Sequence, residues 1–455
     1  MSHPNTVVLP AGRPRLRTAL RAAALAILSA GALLAGPGAA ARAASGAGQP
    51  AGEPIRLALI EGLSGAFANA GEAVARNLQF AVDRVNARGG VRVGGTPRPL
   101  ELVRFDSKGQ TEEALTLLRG AVDRGIAFVL QGNSSAVAGA LAEAVERHNG
   151  REPERRVVFL NYSAVDPALT NERCSFWHFR FDAHADMRMA ALTDALAQNR
   201  SVRRVYLLNQ DYAFGQQFAR SARAMIAARR PDIEVVGDEL HALGRIKDFA
   251  PYAAKIKAAG ADTVMTGNWG NDLTFLVRAA REAGLDAHFY TFYGNSLGAP
   301  AALGEAGVDR VRAVAEWHPN AGVSAADAVW RAFRARTPDP RDQYFNMRHV
   351  VMVEMLAAAI EAAASTRADA VAAALEGRAS PADAPYAAQM RRDDHQLLGP
   401  LYVSVMRRAE PAALPYDVEG SGYGFHTERF VPARDNAQPT SCRMTRPERA
   451  TAASR

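Results

Sequence analysis

Residues Ile126 to Ala144 read IAFVLQGNSSAVAGALAEA, and the way this stretch folds decides how the rest of the chain is understood. The apolar run Ile126 to Leu130 reads as a strand broken at Gly132, after which Asn133, Ser134 and Ser135 cap a helix rich in small residues. Such a junction aims free backbone N–H groups, hydroxyls and the positive end of a helix dipole at one small volume. That is a seat for a carboxylate. The plain alternative is a helix cap with no ligand, and the neighbouring sequence has to decide between the two.

At 455 residues the chain exceeds a typical single domain, so two lobes or domains are expected, and 48% hydrophobic with 22% charged residues is ordinary globular composition. The N-terminus differs in kind. Arg13, Arg15, Arg17 and Arg21 precede an apolar run from Ala22 to Ala35 and a small-x-small site at Ala41-Arg42-Ala43. This is the pattern of a secretory signal peptide cleaved after Ala43, and the run is short for a spanning helix of about 20 residues. No cysteine lies near the cleavage site, which argues against a lipoprotein.

Residues 1 to 43 hold five arginines and no acid, so cleavage lowers the formal charge from +7 to +2. A balance so near neutral gives nucleic-acid binding no support. Cys174 and Cys442 are the only cysteines. In an oxidising compartment an even pair allows one disulfide tying the C-terminal tail to mid-chain, with two free thiols as the alternative.

After a Gly/Ala-rich linker at residues 44–53, strand IRLALI, a loop and a helix from Glu72 to Ala87 begin a regular alternation. Strand Leu100 to Phe105, helix Glu112 to Asp123, the junction above and strand Val157 to Leu160 continue it. The rhythm pauses around Cys174 to Asp186. It restarts with helix Ala185 to Gln198, strand VRRVYLLN, helix Gly215 to Ala228, strand IEVVG, helix Lys247 to Ala259, strand DTVMTG, helix Asp272 to Ala283 and strand AHFYTF. Strands alternating with helices of this length imply βαβ units and parallel sheets. The fold class expected is α/β, with two doubly wound parallel-sheet lobes. The first lobe takes residues 54–180 plus 319–396 and the second 181–318 plus 397–432, leaving a tail at 433–455. Helix Met347 to Ala364 is expected to be apolar on one face, and LYVSVM to be the last strand. Each polar loop lies at the carboxyl end of a strand, where open α/β sheets bind ligands.

The chain resembles the branched-chain amino-acid type of periplasmic substrate-binding protein. The resemblance rests on LSGAFANAGEAVARNLQFAVDRVNARGGV after the first strand, Asp106, Gly132 to Ser135, Asp166 to Thr170, Phe179-Arg180, Asp211 to Gly215, Lys247 to Phe249 and Ala280 to Leu285. It covers most of residues 55–405, with the motifs in the family's order. It implies a type I periplasmic binding fold in which two lobes joined by a multi-strand hinge close on a small ligand. The ligand is then delivered to an ABC permease in the inner membrane. The implied protein is periplasmic and a monomer, with no cofactor, no metal and no nucleic-acid partner.

Carried over residue by residue, the loop that takes the ligand carboxylate matches Asn133, Ser134 and Ser135, and the loop after the next strand matches Tyr162 to Val165. Many relatives have Thr where this chain has Val165, so Ser163 or Tyr162 would have to substitute. Phe67, Tyr212, Trp269 and Tyr293 are the aromatic candidates for covering the ligand, while Phe214 and Tyr290 read as packing residues. The acid that usually receives an amino acid's ammonium falls near Tyr293-Gly294, where none is present. An unpaired buried ammonium costs several kcal/mol. Either Asp272, Asp211 or Glu61 supplies the acid from elsewhere, or the ligand is a non-amino carboxylate or an amide.

An enzyme is not expected. Gly62-Leu63-Ser64-Gly65 lacks the spacing of a nucleophile elbow, and neither a G-x-G-x-x-G nor a P-loop lysine follows any strand. His178, His184, His318, His349 and His395 are scattered and read as surface or core residues, not as ligands at metal spacing. A sensory role, in which the loaded protein is presented to a membrane receptor, is the remaining alternative.

Overall fold

A computed structural model describes residues 52–65 and 68–447. Residues 1–43, read above as a signal peptide, and Phe67 lie outside that range.

The first lobe is built on a five-stranded sheet of order β4-β1-β5-β6-β7, parallel throughout. Its elements run β1 (Ile55–Glu61), α1 (Ala68–Ala87), a hairpin of β2 (Val91–Val93) and β3 (Thr96–Arg98), β4 (Leu100–Asp106), α2 (Thr111–Asp123), β5 (Phe128–Gln131), α3 (Ser135–Arg151), β6 (Val158–Asn161) and β7 (His178–Arg180). The central strands are covered on both faces, which is why β1, β5 and β6 read as near-continuous apolar runs.

The second lobe follows with α4 (Ala185–Gln198), β8 (Arg204–Gln210), α5 (Ala213–Arg229), β9 (Glu234–His241), α6 (Ala250–Ala258), β10 (Thr263–Thr266), α7 (Asn271–Glu282), β11 (His288–Thr291), α8 (Ala299–Leu303) and β12 (Val311–Ala315). The chain then returns to the first lobe through α9 (Ser324–Arg336), α10 (Met347–Ala363), α11 (Ala368–Leu375) and the short strands β13 (Gln389–Met390) and β14 (Leu397–Leu398). It crosses once more to β15 (Leu401–Arg408) and β16 (Tyr423–Val431). The second sheet has order β16-β15-β12-β11-β10-β8-β9.

Four expectations need correction. The second sheet is mixed, because β15 pairs antiparallel with β12 and with β16. LYVSVM is not the last strand: Tyr423–Val431 forms a nine-residue edge strand beside it. Helix α10 is buried around its whole circumference, not on one face, since it is enclosed by α1, α11 and the β2–β3 hairpin. Helix α6 also starts later than expected, at Ala250. Asp248 Oδ1 accepts from Ala250 N at 2.8 Å, so residues 247–249 form its entry turn.

The buried apolar side chains divide with the sheets. One cluster draws on Ile55 to Phe181 and Trp317 to Leu397, and two others on Ala183 to Val314 and Leu401 to Val431. Between them the chain crosses three times, at residues 181–184, 316–318 and 398–401. Arg180, fully buried, locks the first crossing to the third: its Nε donates to Gln396 Oε1 at 2.7 Å, and Gln396 Nε2 donates to Asp182 O at 2.8 Å. His184 starts the second lobe by capping α4, its Nδ1 accepting from Asp186 N and Met187 N, a role open only to an unprotonated nitrogen. Burial holds that imidazole well below its ordinary value.

The tail makes a fourth crossing. Beyond β16, Asn436 Nδ2 donates to Gly399 O, Thr440 Oγ1 to Thr170 O and Arg446 Nε to Glu376, which carries the chain back over the first lobe. There Cys442 is bonded to Cys174, with Cα atoms 5.7 Å apart.

Candidate ligand-binding site

In the first lobe the carboxyl ends of β1, β5 and β6 meet. Ser134 caps α3, its Oγ accepting from Val137 N at 3.3 Å, and Ser135 Oγ accepts from Asp166 N at 3.3 Å. In both contacts the serine oxygen is the acceptor, so each hydroxyl proton is available to a ligand oxygen. Ser163 follows β6, and its Oγ accepts from Nη2 of Arg348 at 3.1 Å.

Two first-lobe expectations change. The junction was expected to leave backbone N–H groups free for a ligand carboxylate, but those of Gly132 and of the candidate Asn133 donate to Oε2 of Glu61 at 3.5 and 3.2 Å. Tyr162, expected to touch the ligand, is fully enclosed, with its hydroxyl on Glu61 and its carbonyl accepting from Arg348 Nε at 2.8 Å. Its ring lies edge-on to His349 and so close to Gly132 that a Cβ on that glycine would stand 2.5 Å away. Only glycine permits this contact. Asn133 itself is exposed.

In the second lobe the candidate aromatics gather at the ends of β8, β10 and β11. Trp269, 36% exposed, donates from Nε1 to the Tyr212 hydroxyl at 2.9 Å. Phe214 bridges Tyr212 and Tyr293, with ring centroids 5.9 and 6.0 Å from its own. Burial pushes the Tyr293 phenol up to about 12 and raises that of Tyr212 as well. Both therefore stay protonated donors at neutral pH. Tyr290 is buried, while Phe214 packs among Phe218, Phe292 and Tyr293.

The two halves are linked by charges that were not anticipated from the sequence. Arg348, at the start of α10, holds Glu316 through Nη1 at 2.9 and 3.0 Å and reaches Asp182 at 3.4 Å. Asp182 is shared with Arg188 of α4. Tyr293 lies in the field of Arg188, Asp182 and Arg348, and of these Arg348 also touches Ser163 in the first lobe. The signal available was a lone arginine at the head of the apolar run MRHVVMVEML.

Of the acids considered for an ammonium, Asp211 is exposed, and Asp272 is buried and engaged by Gln210 Nε2 and Gly244 N, both at 2.8 Å. Glu61 is 3% exposed and points into the junction before α3. Among the described residues no group of three or more His, Cys, Asp or Glu could hold a metal ion. The five histidines considered above are all buried.

A family model described as periplasmic binding protein matches residues 54–410. The Leu/Ile/Val-binding protein homolog 4 of Brucella abortus (strain 2308) is 32% identical, over 91% of this chain and 98% of its own length. Among solved structures, the closed conformation of the leucine-, isoleucine-, valine-, threonine-, and alanine-binding protein from Brucella ovis is 29% identical. It superposes with a TM-score of 0.79 over 87% of this chain and all of that one. The amino acid ABC transporter substrate-binding protein from Pseudomonas fluorescens Pf-5 shares the fold at 20% identity, with a TM-score of 0.71 over 86% of this chain and 99% of its own. By its sequence, its two-lobed fold and the length over which both agree with these relatives, the chain belongs to the periplasmic binding protein family.

Proposed function

We propose that this protein is an exported solute-binding protein that captures a small amino acid, carboxylate or amide between its lobes and delivers it to an ABC permease in the inner membrane. The observation that carries this reading is the pairing of donors with aromatics at strand ends. Ser134, Ser135 and Ser163 follow β5 and β6 in one lobe, while Tyr212, Trp269 and Tyr293 follow β8, β10 and β11 in the other. Hydroxyls hold a ligand's carboxylate, and aromatic rings cover an apolar or flat remainder and exclude water. The names of two relatives, a Leu/Ile/Val-binding protein homolog and a leucine-, isoleucine-, valine-, threonine-, and alanine-binding protein, support amino acids within that ligand class.

The mechanism is hinged capture. A ligand that touches both strand-end groups is bound more tightly when the lobes meet, so it shifts the population toward the closed form. A permease reads that form from its outer surface, and no bond is made or broken. Residues 1–43 are the export signal in this scheme, and the mature chain works as a monomer.

The test is a thermal-shift screen of residues 44–455 against amino acids, aliphatic and aromatic carboxylates and small amides, followed by calorimetry of each hit. A ligand that binds the folded state raises the melting temperature by linkage. Replacing Ser134 and Ser135 together by Ala is expected to weaken a hit by a few kcal/mol, since charge-assisted hydrogen bonds are worth about 1.5–3 kcal/mol each. Unchanged affinity in that variant would remove the serines from the site.

A further inference from the structure

The last strand of the second lobe ends beside the point where the third crossing enters that lobe. Val431, at the end of β16, is the ladder partner of Leu401, at the start of β15. From there the chain runs back along the crossing in the opposite direction, and the buried Asn436 donates from Nδ2 to Gly399 O at 3.2 Å. The third crossing and the start of the tail thus form a two-stranded ribbon between the lobes.

The returning segment has little slack. Six residues, 432–437, separate Val431 from Gln438, whose carbonyl accepts from Arg391 Nη1 of the first lobe at 2.6 Å. Fully extended, they would reach about 20 Å. Ala433–Asp435 instead form a 3-10 turn, with Asp435 N donating to Pro432 O at 2.9 Å, and such a turn advances only about 2 Å per residue. Pro432 and Pro439 each fix a backbone torsion at its two ends. Lengthening the segment means breaking the turn and the Asn436 bond.

Its anchorage on the first lobe is dense. Thr440 Oγ1 donates to Thr170 O at 3.1 Å, Ser441 N to Asn171 Oδ1 at 3.0 Å and Arg446 Nε to Glu376 at 2.8 Å, while Met444 packs against the first-lobe core. Contacts of this kind near a chain end open and reclose unaided. The Cys174–Cys442 bond does not. The anchor also adjoins the hinge, since the Thr170 hydroxyl accepts from Nη2 of Arg180, which locks the first crossing to the third.

We propose that the tail is a mechanical restraint, a fourth hinge strand covalently fastened by Cys174–Cys442, whose length limits how far the lobes rotate apart in the ligand-free protein. A single crossing is a cord that twists easily, whereas the ribbon made with residues 432–437 resists twisting and stretching. Rotation that carries Val431 away from Gln438 loads the disulfide through a segment with no length to spare. The restraint acts at the hinge whatever ligand the cleft takes.

The experiment is pulsed dipolar spectroscopy of residues 44–455 without ligand, with spin labels on non-canonical amino acids at Glu112 and Gln216, so that the native cysteines are untouched. Both positions are exposed in the first turns of helices that follow strands, one on each lobe. Three chains are compared: the unaltered protein, the double variant Cys174→Ser with Cys442→Ser, and a chain that keeps the disulfide but carries Gly-Ser-Gly-Ser-Gly-Ser between Ala437 and Gln438. The insertion separates restraint from stabilisation, because a few more residues scarcely change the closure entropy of a loop whose ends lie 268 positions apart. The expected result is a narrow distance distribution in the unaltered protein and, in both variants, an added population at longer distance that widens it roughly twofold. Equal distributions in all three chains overturn the restraint. Widening in one variant alone also overturns it: in the cysteine variant, the bond would act through stability and not through length, and in the insertion, hydrogen bonds would hold the tail without the bond. Should the cysteine variant fail to fold, the insertion decides, with longer distances supporting the restraint and an unmoved distribution overturning it.

Discussion

Nη2 of Arg188 lies 2.7 and 2.8 Å from the two carboxylate oxygens of Asp182, and both side chains are buried at the first crossing between the lobes. Arg348, from the other lobe, reaches the same carboxylate at 3.4 Å. One acid thus stands between a guanidinium from each lobe. Breaking a buried pair by removing one partner leaves uncompensated charge and typically costs about 3–5 kcal/mol. Asp182→Ala is expected to lose stability of that order in urea unfolding, and a loss below about 1 kcal/mol would show that the crossing does not depend on this acid.

Tyr162→Phe removes one of the four donors to Glu61, the others being the N–H groups of Gly62, Gly132 and Asn133, and nothing else of size. Hydrogen bonds to charged groups contribute about 1.5–3 kcal/mol, and the change is expected to fall in that range. The readout is the urea midpoint at constant m-value, and an unmoved midpoint would mean that the three N–H groups suffice.

Trp269→Ala and Tyr212→Phe separate area from hydrogen bonding in the aromatic group. The first removes the exposed indole, and the second only the hydroxyl that accepts from it. We expect Trp269→Ala to weaken an aromatic ligand by about 1–3 kcal/mol and Tyr212→Phe by less than about 1 kcal/mol. Calorimetry with the best ligand checks both, and equal effects would place the ligand away from the indole.

Acid should destabilise the fold earlier than carboxylate titration alone would. Burial, and then the field of Arg180, push the His178 imidazole from 6.5 down to about 3, and burial does the same to His318. His178 contacts Leu169 O through Nδ1 at 3.1 Å and the Asn161 amide nitrogen through Nε2 at 3.2 Å, an arrangement that suits the neutral ring. The folded pKa is depressed, so between about 6.5 and 3 the unfolded chain binds protons that the folded one refuses. Stability therefore falls as pH falls through that window, by about 1.4 kcal/mol per pH unit for each such histidine once well below 6.5. Urea unfolding from pH 7 to pH 4.5 measures the slope, and His178→Gln should reduce it by one histidine's share. A flat profile would contradict the depressed values.

Cys442→Ser opens a covalent loop between residues 268 positions apart. In the chain-entropy view a loop of that length is worth up to about 5 kcal/mol. The variant should melt at a lower temperature than the oxidised protein and no longer respond to reductant. Equal melting temperatures would mean that the tail's hydrogen bonds hold it without the bond.

Much of the fold was legible because its signals are strong ones. Parallel strands covered on both faces leave uninterrupted apolar runs, such as Leu57, Ala58, Leu59 and Ile60 of β1, and the flanking helices repeat apolar residues at helical spacing. Tyr423–Val431 was missed because an edge strand half in solvent alternates buried with charged positions and sits among turn residues. The β2–β3 hairpin was too short to register. In the site, the serines and the second-lobe aromatics could be placed from the order of strands and loops. Glu61 and Arg348 could not be assigned partners, because a charge at the end of an apolar run looks solvent-exposed until the elements that enclose it are known.

The closing of the tail onto the first lobe bears on how the motion can be observed. The described chain starts in β1, inside the first lobe, and although its last strand belongs to the second, Thr440, Cys442 and Arg446 are fastened to the first. Both ends of the described residues therefore travel with the same rigid body. A pair of fluorophores attached at residues 53 and 446 would keep a constant separation and stay silent on ligand capture. A working optical reporter needs one dye inserted in the second lobe, for example at the exposed Gly244 turn between β9 and α6.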